Sequence, residues 1–293
     1  MNPLRPVVAA GAVLGMLAML AVGATTASAD GPPNAATCSG ASLQSPGILP
    51  PGTYSSLTVQ GVCLIPGGTV NVEGNVTVTP GSVFLANFPA MGPGAPEGDA
   101  TVTVGRNILV GTGATLVLGC TPSAGCVNTT HDTVGGNLVS TQPLGVLVHG
   151  DAIQGNVIHS GGGGGVNCNP VGFFAAIGEP AFSAYEDGTV GGNVVITGME
   201  SCWLGLARVQ VGNNAIFQSN NLADPDAIEI LSNTISHNLI CQGNSMVWNS
   251  SEAGESGLFP RVPEPNTVGH QRIGQCVLAS PTTPGGPLGP GPF

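Results

Sequence analysis

The chain contains no lysine. Its five basic residues are all Arg, charged residues of either sign make up only 7 % of it, and the formal net charge is −11. Neutralising nucleic-acid phosphates takes clustered Lys and Arg, so this balance excludes nucleic acid as a partner. Anionic membrane surfaces are disfavoured for the same reason. After the N-terminus there is no apolar run long enough to span a membrane. The C-terminus lacks an LPxTG-like signal, which argues against sortase anchoring. No Cys-x-x-Cys or paired Cys/His spacing suggests zinc, and no Gly-x-Ser-x-Gly elbow suggests a serine nucleophile. Gly161 to Gly165 lack the Lys-Ser/Thr ending of a phosphate loop. Calcium-binding Gly-Gly-x-Gly-x-Asp repeats are missing too. No metal or cofactor is expected.

What is present begins with an export signal. Arg5 precedes the apolar stretch Val7 to Val22, and Ala27-Ser28-Ala29 forms a small-x-small cleavage site before Asp30. Residues 1–29 therefore read as a secretory signal peptide; the rival is a retained anchor, for which the run is short. No cysteine stands at the cleavage site to take a lipid. Eight cysteines, all beyond the signal, suit an oxidising, extracellular destination. Proximity in sequence pairs Cys38 with Cys63, Cys120 with Cys126, Cys168 with Cys202, and Cys241 with Cys276, one connectivity among many.

The chain carries 47 Gly and 25 Pro, yet 42 % of it is hydrophobic, so these are turn residues between strands rather than a mark of disorder. Helical periodicity is nearly absent. Short alternating segments recur instead: Thr69 to Val72, Asn75 to Thr79, Thr101 to Val104, Thr115 to Leu118, Asn193 to Thr197, Arg208 to Val211 and Ala227 to Leu231. Apolar residues at every second position mark half-buried strands, and Val and Thr are β-branched.

A phrase, Gly-x-Asn followed by apolar residues, returns at Asn75, Asn107, Asn137 and Asn193, with looser versions at Asn156, Asn214 and Asn238. Repetition at this period predicts a disulfide-stapled, right-handed parallel β-helix, or β-solenoid, in a single domain over residues 30–279. Inward Val, Ile and Leu would stack into a continuous column. Gly would admit positive φ at the corners, and the Asn side chains would form a hydrogen-bonded ladder. A β-sandwich explains the alternation equally well but not the repeated phrase. Three stretches break the pattern: 87–99, 160–185 and 244–265. The Pro/Gly-rich tail 280–293 reads as disordered.

Candidate chemistry is sparse. Polysaccharide hydrolases and lyases often use a β-helix, and glycoside hydrolysis needs two carboxyls at a set separation. Asp224, Asp226 and Glu229 form the densest acidic patch, Glu186-Asp187 precedes another corner, and neither matches the polygalacturonase pattern. A lyase would need a basic residue beside acidic calcium ligands, and no such group is visible. His131-Asp132 and His149-Gly150-Asp151 resemble acid/base pairs only in sequence. No catalytic residue is assigned. Trp203, Trp248, Asp224 and Asp226 are the candidate binding residues, with a cell-surface glycan or protein as partner. An ice-binding face would need a persistent Thr-x-Thr array, which Thr77 to Thr79 and Thr101 to Thr103 begin but do not sustain.

The C-terminal third carries ISHNLICQGNS at residues 235–245, followed by PNTVGHQRIGQC at residues 265–276. These stretches resemble the ending of a group of secreted actinobacterial proteins, close to "ISGNLxCxGN…PNTVxGNxxGQC". His237 stands here where that group has Gly, and His270-Gln271 where it has Gly-Asn. The resemblance implies a β-solenoid with no assigned activity, a bacterial extracellular setting, and a bond between Cys241 and Cys276. Together these readings describe a secreted, non-catalytic structural or surface-interaction protein, the rival being a carbohydrate-active enzyme on the same fold. If export and pairing are both right, intact mass of secreted material will begin at Asp30 and lie about 8 Da below the all-thiol value, two hydrogens per disulfide; retention of residues 1–29 would overturn the signal assignment.

Overall fold

The computed structural model describes residues 33–86, 100–121, 129–224, 227–250 and 266–277. Residues 1–32, which hold the expected signal, and the expected tail lie outside them. The described chain is a parallel β-solenoid built from three strands per coil. The first face stacks Gly68–Val72, Ala100–Val104, Thr133–Val134, Ala152–Ile153, Thr189–Val190, Gln210–Val211, Thr234–Ile235 and Thr267–Val268. The second stacks Val76–Val78, Ile108–Val110, Leu138–Thr141, Val157–Ser160, Val194–Thr197, Ala215–Gln218, Leu239–Gln242 and Arg272–Gly274. The third runs from Val83–Ala86 through Thr115–Gly119, Gly145–His149, Phe182–Glu186, Trp203–Ala207 and Ile228–Leu231 to Trp248–Ser250. The long strand Gly52–Ile65 contributes to all three. No helix among the described residues is long and apolar enough to cross a membrane.

One interaction fixes the register. Asn75, Asn107, Asn137, Asn156, Asn193, Asn214 and Asn238 stack on successive coils at the bend between the first two faces. Each Oδ1 accepts both the backbone N–H and the side-chain Nδ2–H of the next Asn, at 2.8–3.2 Å. Gln271 ends the series by donating its N–H to Asn238. The steps between rungs vary from 19 to 37 residues, yet each advances one coil, so the surplus is looped outward.

The glycines of the phrase have a different cause from the one the sequence suggests. Gly136, Gly155 and Gly192 are not among the residues with positive φ. A Cβ at any of them would stand 2.5–2.6 Å from the Asn Oδ1 one coil earlier. Glycine immediately before Asn137, Asn156 and Asn193 leaves room for the neighbouring amide, whereas a Cβ at Gly105, Gly135 or Gly191, two residues before their Asn, would stand 2.3–2.7 Å from a backbone carbonyl one coil earlier. Positive φ occurs at the bend between the second and third faces, at Gly81, Gly113, Gln142, Gly161, Gly198, Ser219 and Gly243, and also at the bend between the third and first faces, where four residues adopt it: Gly150, Asp187, Arg208 and Ser232 (81°, 54°, 57° and 55°). Only the first of these is glycine, so the other three accept a cost of about 1 kcal/mol each.

Inside the three faces runs one apolar column, including Val70, Val102, Val157, Ile196, Leu206 and Ile230, each at most 1 % exposed. Both ends are closed. Cys38 and Cys241 occupy the same inward column, first and near-last, joined by Val59, Val78, Val110, Ser140, His159, Ile196 and Phe217. Each is disulfide-bonded across the core, to Cys63 and Cys276 respectively. At the C-terminal end Arg272 replaces the column's usual aliphatic and donates to Asn249 Oδ1 and the Asn266 carbonyl. An inward polar cap of this kind blunts an exposed strand edge.

A second apolar cluster lies outside the third face. Residues 161–181, carrying the short helix Gly172–Ile177, bury Phe173 and Phe174 against Leu147 and Trp203. The Cys168–Cys202 disulfide pins this insertion to the wall. The break expected over 160–185 is therefore shorter than the sequence suggests, since Phe182 and Tyr185 belong to a wall strand, as Trp248 does in the region 244–265. Gly161 to Gly165 all take positive φ, and Cβ atoms at Gly162 and Gly163 would strike the Pro143 and Glu200 carbonyls. The five glycines thread the insertion between two coils. Cys120 is disulfide-bonded, and Cys126 lies outside the described residues.

Replacing Asn193 by Ala removes a side-chain bond to Asn156 and leaves the Asn214 N–H without its acceptor. The expected loss is roughly 1–3 kcal/mol, read as a shift in the guanidinium midpoint. Gln218→Ala, on an exposed outward position, should stay within about 0.5 kcal/mol. Equal effects at both sites would deny the ladder its role.

Candidate functional site

Two polar clusters hold titratable groups close enough to act on one another. The first stands where the third face turns into the first. His149, Glu186, Ala207 and Leu231 are in register there, and the left-handed residues after them bring Asp187 under Arg208. Arg208 Nε donates to Asp187 Oδ1 at 2.6 Å, and its Nη2 donates to Asp187 Oδ2 at 3.0 Å and Glu186 Oε2 at 2.9 Å. His149 Nδ1 lies 3.6 Å from Glu186 Oε1. The side chains of His149, Glu186 and Arg208 are only 10 %, 4 % and 12 % exposed. Burial, with the Arg208 charge and against Asp187, lowers the His149 pKa to about 4. A general base at neutral pH needs a pKa near the working pH, and this imidazole is neutral and walled in.

Two carboxylates extend the same corner. Asp132 Oδ1 accepts the Val102 N–H, and Asp151 Oδ1 accepts the Asp132 N–H. Asn233 and Asn266 play the same part in later coils, accepting from Val209 and Asn233. Asp132 and Asp151 thus serve as rungs of a second ladder. Burial raises the Asp151 pKa well above the carboxylate range, and the charge of Asp132 adds to it, against the N–H bonds from Asp132 and His149.

The second cluster is inside the apolar column. His159 is fully buried, with Nδ1 3.0 Å from Tyr185 Oη and Nε2 3.1 Å from the Gly161 carbonyl. The carbonyl requires Nε2 to carry the proton, so Nδ1 accepts from Tyr185. Ser140 in turn bonds to Tyr185. Burial lowers the His159 pKa to about 4 and raises that of Tyr185. The three groups form a chain that satisfies itself within the core.

The sequence-level candidates fare differently. Trp203 is 1 % exposed and packs edge-on against Phe182, so its ring is not available to a ligand. Asp224 is buried, its N–H bonded to the Cys202 carbonyl, beside the Cys168–Cys202 sulfurs. Those sulfurs are tied to each other, so the trio is not a metal site. Trp248 is half-buried on the outer side of the third face, paired with Glu229. Asp226 lies outside the described residues. Asp224 sits before the start of its strand and Glu186 at the end of another, so they are at opposite ends of the third face. His149 aligns with Glu186, and neither His131 nor His159 joins it. Two open grooves of about 500 and 480 Å³ flank the first face; Glu73 is the only carboxylate lining either, too few for hydrolysis by a carboxyl pair.

The outside of the second face is a different surface. Leu109, Val139, Ile158, Val195, Ile216 and Ile240 point outward in one unbroken column, continued by Ile273. Beside it runs a column of Thr141, Ser160, Thr197, Gln218 and Gln242, and on the other side stands the Asn ladder. None of these columns carries a charge. His237 and His270 border the stripe at its C-terminal end, their rings stacked at 4.9 Å. No family model, curated protein or solved structure matches the chain.

The pH dependence of stability tests the buried imidazole. The unfolded chain takes up a proton below about pH 6.5 that folded His159 refuses until about pH 4. Stability from this residue is therefore present above pH 6.5 and lost as pH falls toward 4, by roughly 3 kcal/mol. Asp151 acts in the opposite sense, and His149 in the same sense, but both remain in a His159→Asn variant. That variant, though weaker overall, should lose roughly 3 kcal/mol less than the parent between pH 6.5 and 4. Parallel denaturation curves across that window would refute a neutral His159.

Proposed function

We propose that this chain is a secreted, extracellular, non-catalytic structural or surface-interaction protein. One observation carries the proposal: the perturbed titratable groups are inside the wall, while a long, regular and uncharged face is outside. Catalytic sites gather perturbed groups where substrate can reach them. Here His159 and Tyr185 are bonded to each other in the core, Asp151 is a rung of the second ladder, and His149 is buried at the corner. The disulfides fit an oxidising compartment, and the export signal and the actinobacterial resemblance add support for release outside a bacterial cell. Contiguous exposed apolar surface marks interaction sites, so the partner is sought on the second face rather than at Trp203 or Asp224.

The rival, a carbohydrate-active enzyme, has one observation in its favour, the approach of His149 to Glu186. Reducing-sugar release from a broad polysaccharide panel separates the two readings. The expected result is no release above a boiled control. Release that disappears in Glu186→Gln or Asp226→Asn would replace this proposal with the enzyme.

A further inference from the structure

We infer that the aliphatic stripe on the second face is a self-association surface, whose occupant is a second copy of this chain. The inference rests on the non-catalytic, surface-interaction reading and names its partner. Seven consecutive aliphatics from Leu109 to Ile273, one per coil, give a stripe about 29 Å long at about 4.8 Å per strand. Scattered exposed aliphatics need no explanation, but an unbroken file of this length does.

Charge narrows the occupant. Each copy carries a formal −11, so two copies repel through most of their surface. The second face is where they could meet without opposing charges, because its three columns hold only aliphatics, hydroxyls and amides. The absence of charge equally leaves a polyelectrolyte partner nothing to grip. Aromatic rings that would stack on sugar are absent from the three columns.

Geometry then favours a like surface. A two-fold axis along the stripe sets aliphatic column against aliphatic column, as in a steric zipper. The same axis lays the Asn ladder of one copy opposite the Thr, Ser and Gln column of the other, so amides meet hydroxyls and amides. Three columns about 7 Å apart give a face of roughly 600 Å² per copy, or about 1,200 Å² in all. That is at the lower limit of specific interfaces, which points to a dimer with a dissociation constant in the micromolar range.

Sedimentation velocity of the purified chain across about 1 to 100 µM tests this. A reversible monomer–dimer equilibrium is expected, strengthened by added salt because repulsion between like-charged copies is screened. Ile158→Asp with Ile216→Asp places charge in the centre of the stripe and should weaken the dimer at least tenfold. Both side chains point outward, so circular dichroism should be unchanged, and so should melting at dilutions where the parent is monomeric. Thr189→Asp, exposed on the first face, is the control and should leave the dimer intact. A parent that is monomeric throughout, or a dimer indifferent to the Ile substitutions, overturns the inference. So does a monomer that co-sediments with an insoluble polysaccharide through the same two isoleucines. Sugar release in the same preparation reports separately: a monomer without release removes only self-association, whereas release abolished by Glu186→Gln removes the non-catalytic reading itself.

Discussion

Every column in this molecule is aligned by the asparagine ladder. In a parallel stack of short strands a slip by one residue turns each inward Val outward, and the ladder adds a second bar to that slip. A bidentate contact from each Asn to the next forbids that slip, because the amide oxygen must receive both an N–H and an Nδ2–H from one residue only. The step in sequence is free; the step in space is not. A 19-residue coil and a 37-residue coil therefore stack alike, and the longer one carries its surplus as an insertion over the third face.

The same constraint explains where covalent and polar reinforcement fall. A column of buried side chains is secured by neighbours above and below except at its ends. Those are the places where Cys38–Cys63 and Cys241–Cys276 cross the core and where Arg272 and Asn249 close it with hydrogen bonds. The third disulfide has another task, holding down an insertion whose aromatic side chains would otherwise be exposed. Glycine in the repeated phrase follows too, as the residue that leaves space for the amide or the backbone carbonyl one coil away.

Much of this was legible in the sequence, and more was legible than a motif search finds. The alternation, the Asn phrase and the cysteine pairs pointed to the fold. The functional reading missed Arg208 because Asp187 is 21 residues away, and it placed Trp203 in a binding role because a Trp beside a Cys has no visible cover. Yet the ladder is a key to register. The step from Asn193 to Asn214 is also the step from Asp187 to Arg208. The step from Asn156 to Asn193 is that from His149 to Glu186, and the step from Asn137 to Asn156 is that from Asp132 to Asp151. Applied to Leu109, these steps, preceded by the one from Asn107 to Asn137, generate Val139, Ile158, Val195 and Ile216 in turn. The stripe was thus encoded in the spacing. The burial of Trp203 was not, since it depends on an insertion whose path over the third face no repeat specifies.

The scarcity of charge now has a structural meaning. A fold held by amide ladders, apolar stacking and disulfides has few terms that ionic strength can alter, because screening acts on charges and spares neutral hydrogen bonds. The one compact ion cluster among the described residues, Arg208 with Glu186 and Asp187, is mostly buried and screened little. Acid is the condition to which such a wall is exposed, since neutral imidazoles in the core and at the corner must resist protonation for the coils to stay closed. Burial inside the wall is what lowers the pKa of both His149 and His159. On the proposed reading, the surface that the ladders hold straight and leave uncharged is the one that meets a partner.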